Sequence, residues 1–290
     1  MEREYMTKAK YIIMMMVATL LWGSCTSDEQ PAMEAESLQL LATEEPWKNE
    51  EVRWTRSTLT DMQASTYAGF GLNCNEFNLT NEKVTWNSTT QKWSYINMKF
   101  WPQPVKTASF YAYAPWTDLS TTPASGITAV NGNVLTFNPS TADNATDLLW
   151  ASHENLSREQ RTATLNFQHA LAKISFGSLT NNTGETLTLK SISISGTIYT
   201  EGDLSLSDGT WSNQPASAET VTRSGSDISD YTPFMVIPKD GVSLTMTITF
   251  SLTTTTEHTA TYTKTHNLRA GQNYEFNITI DKNFEVVIEN

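Results

Sequence analysis

The chain has 290 residues, 31 of them acidic and 19 of them lysine or arginine, which gives a formal net charge of -12. A surface this acidic repels nucleic acid and anionic membrane, and no basic patch offsets it, so the composition excludes a nucleic-acid-binding protein. Two cysteines are too few for a disulfide framework or a thiolate metal cluster, so stability must come from hydrophobic cores.

The first residues predict export from the cytoplasm. A positively charged start precedes an apolar run from Tyr11 to Leu21, which is too short to span a membrane. We interpret residues 1–24 as a signal peptide. Small residues then lead directly to Cys25, which resembles the lipobox of bacterial lipoproteins and implies lipidation of that thiol. The alternative is an ordinary secretory signal followed by a chance cysteine.

Residues 25–52 are predicted to form an acidic tether that follows the lipidated cysteine. Glutamates recur throughout this segment, so we expect most of it to be mobile in solution. Ser37 to Ala42 is more apolar than its surroundings. This short piece is expected either to pair as a strand or to form a helical turn.

From Trp54 onward, side chains alternate with the period of β-strands. Val242 to Leu252 alternates without a break between apolar residues and Ser or Thr, and Tyr274 to Ile280 repeats the pattern. Such alternation predicts antiparallel sheets with one face on a core. Turn-forming residues separate the candidate strands at 131–133, 181–184, 208–209 and 239–241. Because long helical periodicity is absent, we predict an all-β protein.

A long polar stretch at 152–162 marks the predicted domain boundary. We therefore divide the folded part near residue 160, into an N-terminal β-sandwich at 53–160 and a C-terminal one at 161–290.

The apolar parity changes just after this boundary. Leu165 and Phe167 share one parity, whereas Ile174 lies on the other. A one-residue change of parity turns side chains to the opposite face of a sheet. We expect a bulge or bend near Ala170 to absorb it.

The sequence contains no motif for catalysis, and we expect no enzyme, no metal site and no cofactor. His153-Glu154 begins like a zinc-binding helix, but position 157 is Ser and the second ligand is missing. His258 and His266 would lie about 26 Å apart on one strand. His169 lies on a buried parity and is predicted to be a hydrogen-bonded structural histidine. An enzyme would need two carboxylates about 5–9 Å apart in a cleft.

Six tryptophans allow two interpretations. They could form a sugar-stacking platform, or they could fill the cores and the bases of loops, which we favour because large aromatic residues contribute most when buried. The residues concerned are Trp86, Trp93, Trp101, Trp116, Trp150 and Trp211.

Several stretches, in this order, together resemble the fimbrillin-like family, the type V pilins of Gram-negative anaerobes. The matching stretches are Phe100-Trp101-Pro102, Ser109 to Pro115, Thr146 to Ala151, Leu165 to Ile174, Phe234 to Pro238 and Leu268 to Tyr274. The resemblance implies two transthyretin-like antiparallel β-sandwich domains in tandem. It also implies a fimbrial subunit or adhesin on the outer membrane that assembles with other fimbrial subunits and needs no cofactor.

The resemblance further implies assembly by donor-strand exchange. An arginine-specific protease would cut at Arg53 or Arg56 and release an N-terminal strand, and Arg56 is the better match to the family. The vacated groove would then accept a strand from another subunit. Phe284, Val286 and Ile288 alternate along the C-terminal tail and are candidate donor residues. Alternatively, this tail is the last strand of its own domain, and the two arginines are ordinary surface residues.

The rival function is a surface glycan-binding lipoprotein of a sugar-uptake system, which would require exposed, coplanar tryptophans. The sequence identifies no receptor, and it does not distinguish a stalk, tip or anchor subunit.

Overall fold

The computed structural model describes residues 37–49, 60–62, 69–96, 99–121, 125–139, 146–253 and 257–289. Within these ranges the chain forms β-strands and two short 3₁₀ turns, Asn75–Phe77 and Ile228–Asp230, with no α-helix. None of the described residues belongs to a helix with the length and hydrophobicity needed to cross a bilayer. The prediction of an all-β protein is confirmed.

The strands of the first part of the chain are β1 (Gln39–Glu44), β2 (Lys48–Asn49), β3 (Thr60–Asp61), β4 (Phe70–Cys74), β5 (Leu79–Asn87), β6 (Lys92–Tyr95), β7 (Thr107–Ala114), β8 (Ile127–Asn131), β9 (Val134–Phe137), β10 (Leu149–Ser157) and β11 (Thr162–His169). Those of the second part are β12 (Ala172–Asn181), β13 (Leu187–Tyr199), β14 (Gly202–Ser205), β15 (Trp211–Ser212), β16 (Ala216–Ser224), β17 (Phe234–Val236), β18 (Lys239–Leu252), β19 (Glu257–Leu268), β20 (Gln272–Ile280) and β21 (Val286–Glu289).

The first sheet has eight strands in the order β3-β1-β11-β10-β7-β4-β5-β6. Its strands contribute to one hydrophobic core, which includes Phe70, Phe110 and Phe167. The sheet curls so far that β6 approaches β1. The Tyr95 hydroxyl of β6 donates a hydrogen bond to the Leu38 carbonyl, next to β1, at 3.4 Å. The first core is therefore enclosed by a single strongly curved sheet.

The second core lies between two further sheets. One has the order β17-β12-β20-β2, with β21 also beside β20, and the other has the order β16-β13-β18-β19. The apolar side chains of both sheets belong to one buried cluster. Val242, Leu244, Met246, Ile248, Phe250 and Leu252 are all buried, as the alternation predicted, and so are Tyr274, Phe276, Ile278 and Ile280.

A fourth sheet joins the two halves of the chain. Its order is β15-β14-β9-β8, so β9 from the first half pairs with β14 from the second, with Leu135 opposite Leu204. A third buried cluster combines these strands with Tyr113, Trp150 and Ile237. The two halves therefore share both backbone hydrogen bonds and a core.

The change from one core to the next does not occur at residue 160, where the polar stretch had placed the boundary. Residues 158–161 only connect β10 to β11, and Ala163, Leu165 and Phe167 of β11 pack into the first core. The next strand, β12, packs into the second core. The strand pattern breaks at Ala170 and Leu171, where the bend was expected, because the chain leaves one sheet and enters another.

Three strand pairs are parallel, so the expectation of purely antiparallel sheets is corrected. β1 runs parallel to β11, and both β12 and β2 run parallel to β20. The segment at 239–241 is also different from the turn that we predicted. It lies inside β18, where the register against β19 shifts between Lys239 and Val242 and Gly241 has a φ of 64°. Glycine here permits a β-bulge.

Candidate functional site

The N-terminal strand β1 occupies a slot at the edge of the first core. Its six residues pair with Thr162–Phe167 of β11 along their whole length. Leu38, Leu40 and Ala42 point into the core and are 5%, 6% and 7% exposed, whereas Leu41 is 56% exposed. The apolar part of the predicted tether is therefore a strand, and it fills a place in the core.

On its other side, β1 is held at its two ends. The Leu38 amide donates to the Lys99 carbonyl at 3.2 Å, and the Met62 amide donates to the Ala42 carbonyl at 3.2 Å. Between these attachments lies a cavity of about 810 Å³, lined by β1, Met62 and the rings of Trp86, Trp93 and Tyr95. In the described part of the chain, β1 therefore fills only part of the opening between β6 and β11.

The chain continues from β1 across the junction between the two halves. The Trp47 ring stacks on the His169 ring, with 3.8 Å between centroids and 21° between planes. Beyond it, β2 pairs in parallel with the start of β20, and the Lys48 amide donates to the Gly271 carbonyl at 2.9 Å. Residues 37–49 therefore bind to both halves, which corrects the expectation of a mostly mobile tether in this part.

His169 lies at this junction between two carboxylates. Its Nδ1 is 2.8 Å from Asp147 Oδ2, and its Nε2 is 3.9 Å from Glu44 Oε1. The imidazole is only 2% exposed. The prediction of a buried, hydrogen-bonded histidine is confirmed. Ligand atoms of Glu44, Asp147 and His169 all lie within 4.8 Å of one another, so these residues could hold a metal ion.

Sequence reasoning missed Glu44, Trp47 and Asp147 as partners of His169. One usable signal was the single tryptophan at position 47, which is out of place in a glutamate-rich tether. A large aromatic residue in an otherwise polar segment indicates burial against a folded surface.

The C-terminal strand β21 pairs antiparallel with the end of β20, and Ile288 lies opposite Ile278. Of the three candidate donor residues, Ile288 is buried at 7% exposure, while Phe284 and Val286 are partly buried. The Phe284 ring packs on His258 at 4.5 Å between centroids. In this structure the tail therefore takes its place as an edge strand of its own half.

The remaining predicted sites lie outside the described residues. They are Cys25, Arg53 and Arg56. By sequence, the two arginines fall between β2 and β3, after the segment that carries β1.

The six tryptophans do not form a platform. Trp93, Trp101 and Trp150 are buried, and the other three are partly buried. Their ring nitrogens serve local structure, since Trp101 Nε1 donates to the Val105 carbonyl at 2.7 Å and Trp211 Nε1 donates to the Ala170 carbonyl at 3.1 Å. This arrangement confirms that they fill cores and loop bases, and it gives no support to a sugar-stacking surface.

The second cysteine is buried in the first core and is unsuited to nucleophilic chemistry. Burial, together with the hydrogen bond to the nearby Glu76 carboxylate, raises the pKa of the Cys74 thiol to about 12. Because only the thiolate is a good nucleophile, Cys74 is unreactive at neutral pH. Its role is packing.

Comparison with known proteins finds a matching family model and a similar curated protein. The family model described as fimbrillin-like matches residues 51–290. The chain is also 27% identical over 192 residues to the fimbrium subunit Fim1C of Phocaeicola vulgatus, a match that covers 56% of this chain and 49% of that protein. The match thus spans about half the length of this relative.

Solved structures agree on the fold. A proposed cell adhesion protein from Bacteroides ovatus superposes with a TM-score of 0.59 at 17% identity, over 87% of this chain and 95% of the other. A fimbrial protein from Bacteroides vulgatus superposes with a TM-score of 0.55 at 19% identity, over 87% and 97% of the two chains. At this level of identity the likeness concerns the fold alone.

Proposed function

The chain belongs to the fimbrillin-like family, and we propose that it is a fimbrial subunit or adhesin that assembles by exchange of a β-strand. One observation carries the proposal. The N-terminal strand β1 inserts Leu38, Leu40 and Ala42 into the first core, from a segment that precedes the rest of the fold in the chain. A strand in this position can be removed and replaced without reordering the strands that follow.

Loss of β1 would leave an acceptor groove. The outer edge of β11 would lose its partner, and an unpaired edge presents a row of unmet hydrogen-bond donors and acceptors. The groove would also expose the apolar lining that Leu38 and Leu40 now cover. Each leucine contributes about 1.5–3 kcal/mol when it is fully buried, so an incoming strand with similar anchors would bind durably.

The C-terminal strand β21 is the proposed donor. Phe284, Val286 and Ile288 have the same alternating spacing as Leu38, Leu40 and Ala42. In its own sheet, β21 has four residues, and only one of the three anchors is fully buried. The tail therefore gains buried apolar area if it moves into the groove of a second subunit, which favours exchange over remaining at its own edge.

Cleavage after Arg53 or Arg56 would start the exchange. These arginines lie between β2 and β3 in the sequence, so a cut there would separate the segment carrying β1 from the remainder of the fold. We propose Arg56 as the preferred site because it matches the family pattern more closely. Cleavage alone does not eject β1, since its three anchors still hold it in place.

The route to the cell surface follows from the start of the chain. We propose that residues 1–24 are removed, that Cys25 is lipidated, and that the protein reaches the outer membrane as a lipoprotein. We also propose that each half corresponds to a transthyretin-like sandwich, with the change between them at Ala170–Leu171.

The experiment is an exchange assay on the mature chain after trimming with an arginine-specific protease. A fluorescent peptide spanning residues 281–289 should bind the trimmed protein, and the trimmed protein alone should form polymers visible by size-exclusion chromatography and electron microscopy. The matched control is the same peptide with Val286→Asp and Ile288→Asp, which keeps the length and removes two anchors.

The proposal predicts binding of the first peptide and no binding of the second. A trimmed protein that stays monomeric and binds neither peptide would overturn it. Equal binding of both peptides would show that the anchors do not direct the exchange, and it would also contradict the proposal.

A further inference from the structure

The imidazole of His169 lies between two carboxylates that come from different parts of the chain. Asp147 precedes β10 in the body of the protein, whereas Glu44 is the last residue of β1 in the N-terminal segment. Trp47 covers one face of the ring at 3.8 Å. The imidazole is 2% exposed, so its two nitrogens depend on these neighbours rather than on bulk solvent.

The Asp147 contact determines where the ring carries its proton. Asp147 Oδ2 is 2.8 Å from Nδ1, which is hydrogen-bonding distance, and an ionised carboxylate can only accept. Nδ1 must therefore be the protonated nitrogen. Nε2 is then the nitrogen that is open to a second partner.

Nε2 lies near a second carboxylate. Glu44 Oε1 is 3.9 Å from Nε2, which is too long for a hydrogen bond, and Nε2 makes no hydrogen bond within the described part of the protein. Nδ1 is thus at hydrogen-bonding distance from Asp147, whereas the distance from Nε2 to Glu44 is more than 1 Å longer. A buried imidazole nitrogen left in this state is unfavourable unless something positive lies between the two atoms.

We propose that a divalent transition-metal ion such as Zn²⁺ binds between His169 Nε2 and the Glu44 carboxylate. Zinc bonds to imidazole nitrogen and carboxylate oxygen at about 2.0–2.2 Å, so two ligands of one tetrahedral ion lie about 3.4 Å apart. The observed 3.9 Å is longer by about 0.5 Å, so binding requires a small movement of the partly exposed Glu44 side chain. A nitrogen ligand combined with carboxylates favours zinc or a similar ion over calcium and magnesium.

Asp147 completes the arrangement as an outer partner. In metal sites, the ligating histidine almost always donates its other N–H to a carboxylate or carbonyl, which orients the ring. The 2.8 Å contact between Asp147 and Nδ1 has this form. A hollow of about 170 Å³ borders His169, with Glu45, Lys48 and Asp208 among its lining residues.

Such an ion would join the N-terminal segment to the body of the protein. One ligand comes from β1 and the other from β11, so the ion would hold the two strands together at their shared end. This inference stands on the geometry of His169 and does not require strand exchange to occur. A chain that never polymerises could still bind the ion.

The test uses the full chain with Cys25→Ser, stripped of metal with a chelator, and titrated with Zn²⁺ by calorimetry. We expect one ion to bind per chain and the Tm to rise by about 5 °C at a hundredfold excess over the Kd. Co²⁺ in place of Zn²⁺ should produce visible absorption bands that report nitrogen and oxygen ligands. Glu44→Gln should remove most of the binding, and Asp147→Asn should weaken it about 10–100-fold.

His258→Gln is the matched control, because His258 packs on Phe250 and Phe284 and its loss should leave zinc binding unchanged. If His169→Gln fails to fold, Glu44→Gln decides the question, since the Glu44 side chain is 21% exposed at the last position of β1. The proposal fails if the native chain binds no Zn²⁺ or Co²⁺ at millimolar concentration. It also fails if Glu44→Gln binds the ions as tightly as the native chain.

Discussion

The first and last of the long pairings of the fold, β1 on β11 and β21 on β20, hold their strands in different ways. The N-terminal strand β1 has six residues along β11, and with the preceding Leu38 it fixes three apolar side chains in the first core. The C-terminal strand β21 has four residues along β20 and fixes Ile288 alone to the same degree. Both strands satisfy backbone hydrogen bonds, so burial of apolar side chains, rather than pairing, distinguishes a firmly seated strand from a loosely attached one.

Under the proposed strand exchange, this difference would suit the N-terminal strand to be the plug and the C-terminal strand to be the donor. A plug has to keep the groove closed until it is cut from the chain, which requires several anchors. A donor has to leave its own sheet, which is easier when few anchors hold it. The predictions below compare the two strands, beginning with the largest expected effect.

The largest effect concerns the reactivity of Cys74, which reports opening of the first core. Because burial raises the pKa of this thiol from 9.0 to about 12, its thiolate fraction at pH 8 is lower by a factor of about a thousand. Alkylation by iodoacetamide, in a chain with Cys25→Ser, should be slowed accordingly. Leu40→Asp should expel β1 and raise the rate by orders of magnitude, whereas Ile288→Asp in β21 should leave it unchanged.

The direction in which stability changes with pH also follows from the raised pKa of Cys74. The folded state holds the Cys74 proton more tightly than the unfolded state, so this contribution to stability is complete below pH 9 and is lost as the pH rises toward 12. Alkylation of the native chain should therefore stay slow at pH 9, where exposed thiols react readily. Equal acceleration by Leu40→Asp and Ile288→Asp would contradict the distinction between the strands.

The second effect is the stability lost when an anchor of β1 is shortened. Leu40→Ala should lower the free energy of unfolding by about 2–4 kcal/mol, because it removes buried methyl groups and leaves a cavity. Its control is Leu41→Ala on the same strand, where the side chain is 56% exposed and the change should stay within about 0.5 kcal/mol. Denaturant unfolding measures both. Similar losses for the two variants would mean that β1 is not seated as described.

The smallest effect is the corresponding change in β21. Ile288→Ala should lower the free energy of unfolding by about 1 kcal/mol, because only one of the four residues of this strand is buried and the strand can detach locally. Val287→Ala, at 51% exposure, is the matched control and should be neutral. A loss for Ile288→Ala as large as that for Leu40→Ala would show that the tail is firmly seated, and it would argue against its role as a donor.

Much of the fold could be predicted because alternation is a local signal. Each residue of a strand points to one face or the other, so Val242 to Leu252 reveals its buried side without knowledge of any partner. The parity change near Ala170 likewise predicted a break in the strand pattern. In the structure this break lies between β11 and β12, where the chain passes from the first core to the second. The domain boundary near residue 160 remains a prediction. In the structure residues 158–161 connect two strands of the first core, and a polar connection within a hairpin looks the same in sequence as a linker between domains.

The candidate site was predicted only in part. The spacing of Phe284, Val286 and Ile288 and the apolar character of Ser37 to Ala42 were both visible in the sequence. The stacking of Trp47 on His169 could not be predicted, because the two residues are more than a hundred positions apart in the chain. Arg53 and Arg56 remain predictions.

The sequence by itself determined that the chain folds into strands and which faces of the long strands are buried, whereas the export signal in its first residues remains a prediction. Only the tertiary structure decided which strands become neighbours: β1 beside β11, β9 beside β14, and Glu44 and Asp147 on either side of His169. The reason is physical. Side-chain alternation shows which face of a strand is buried, but the backbone of every strand offers the same hydrogen-bond donors and acceptors. Which strands pair therefore depends on how all the buried faces pack together.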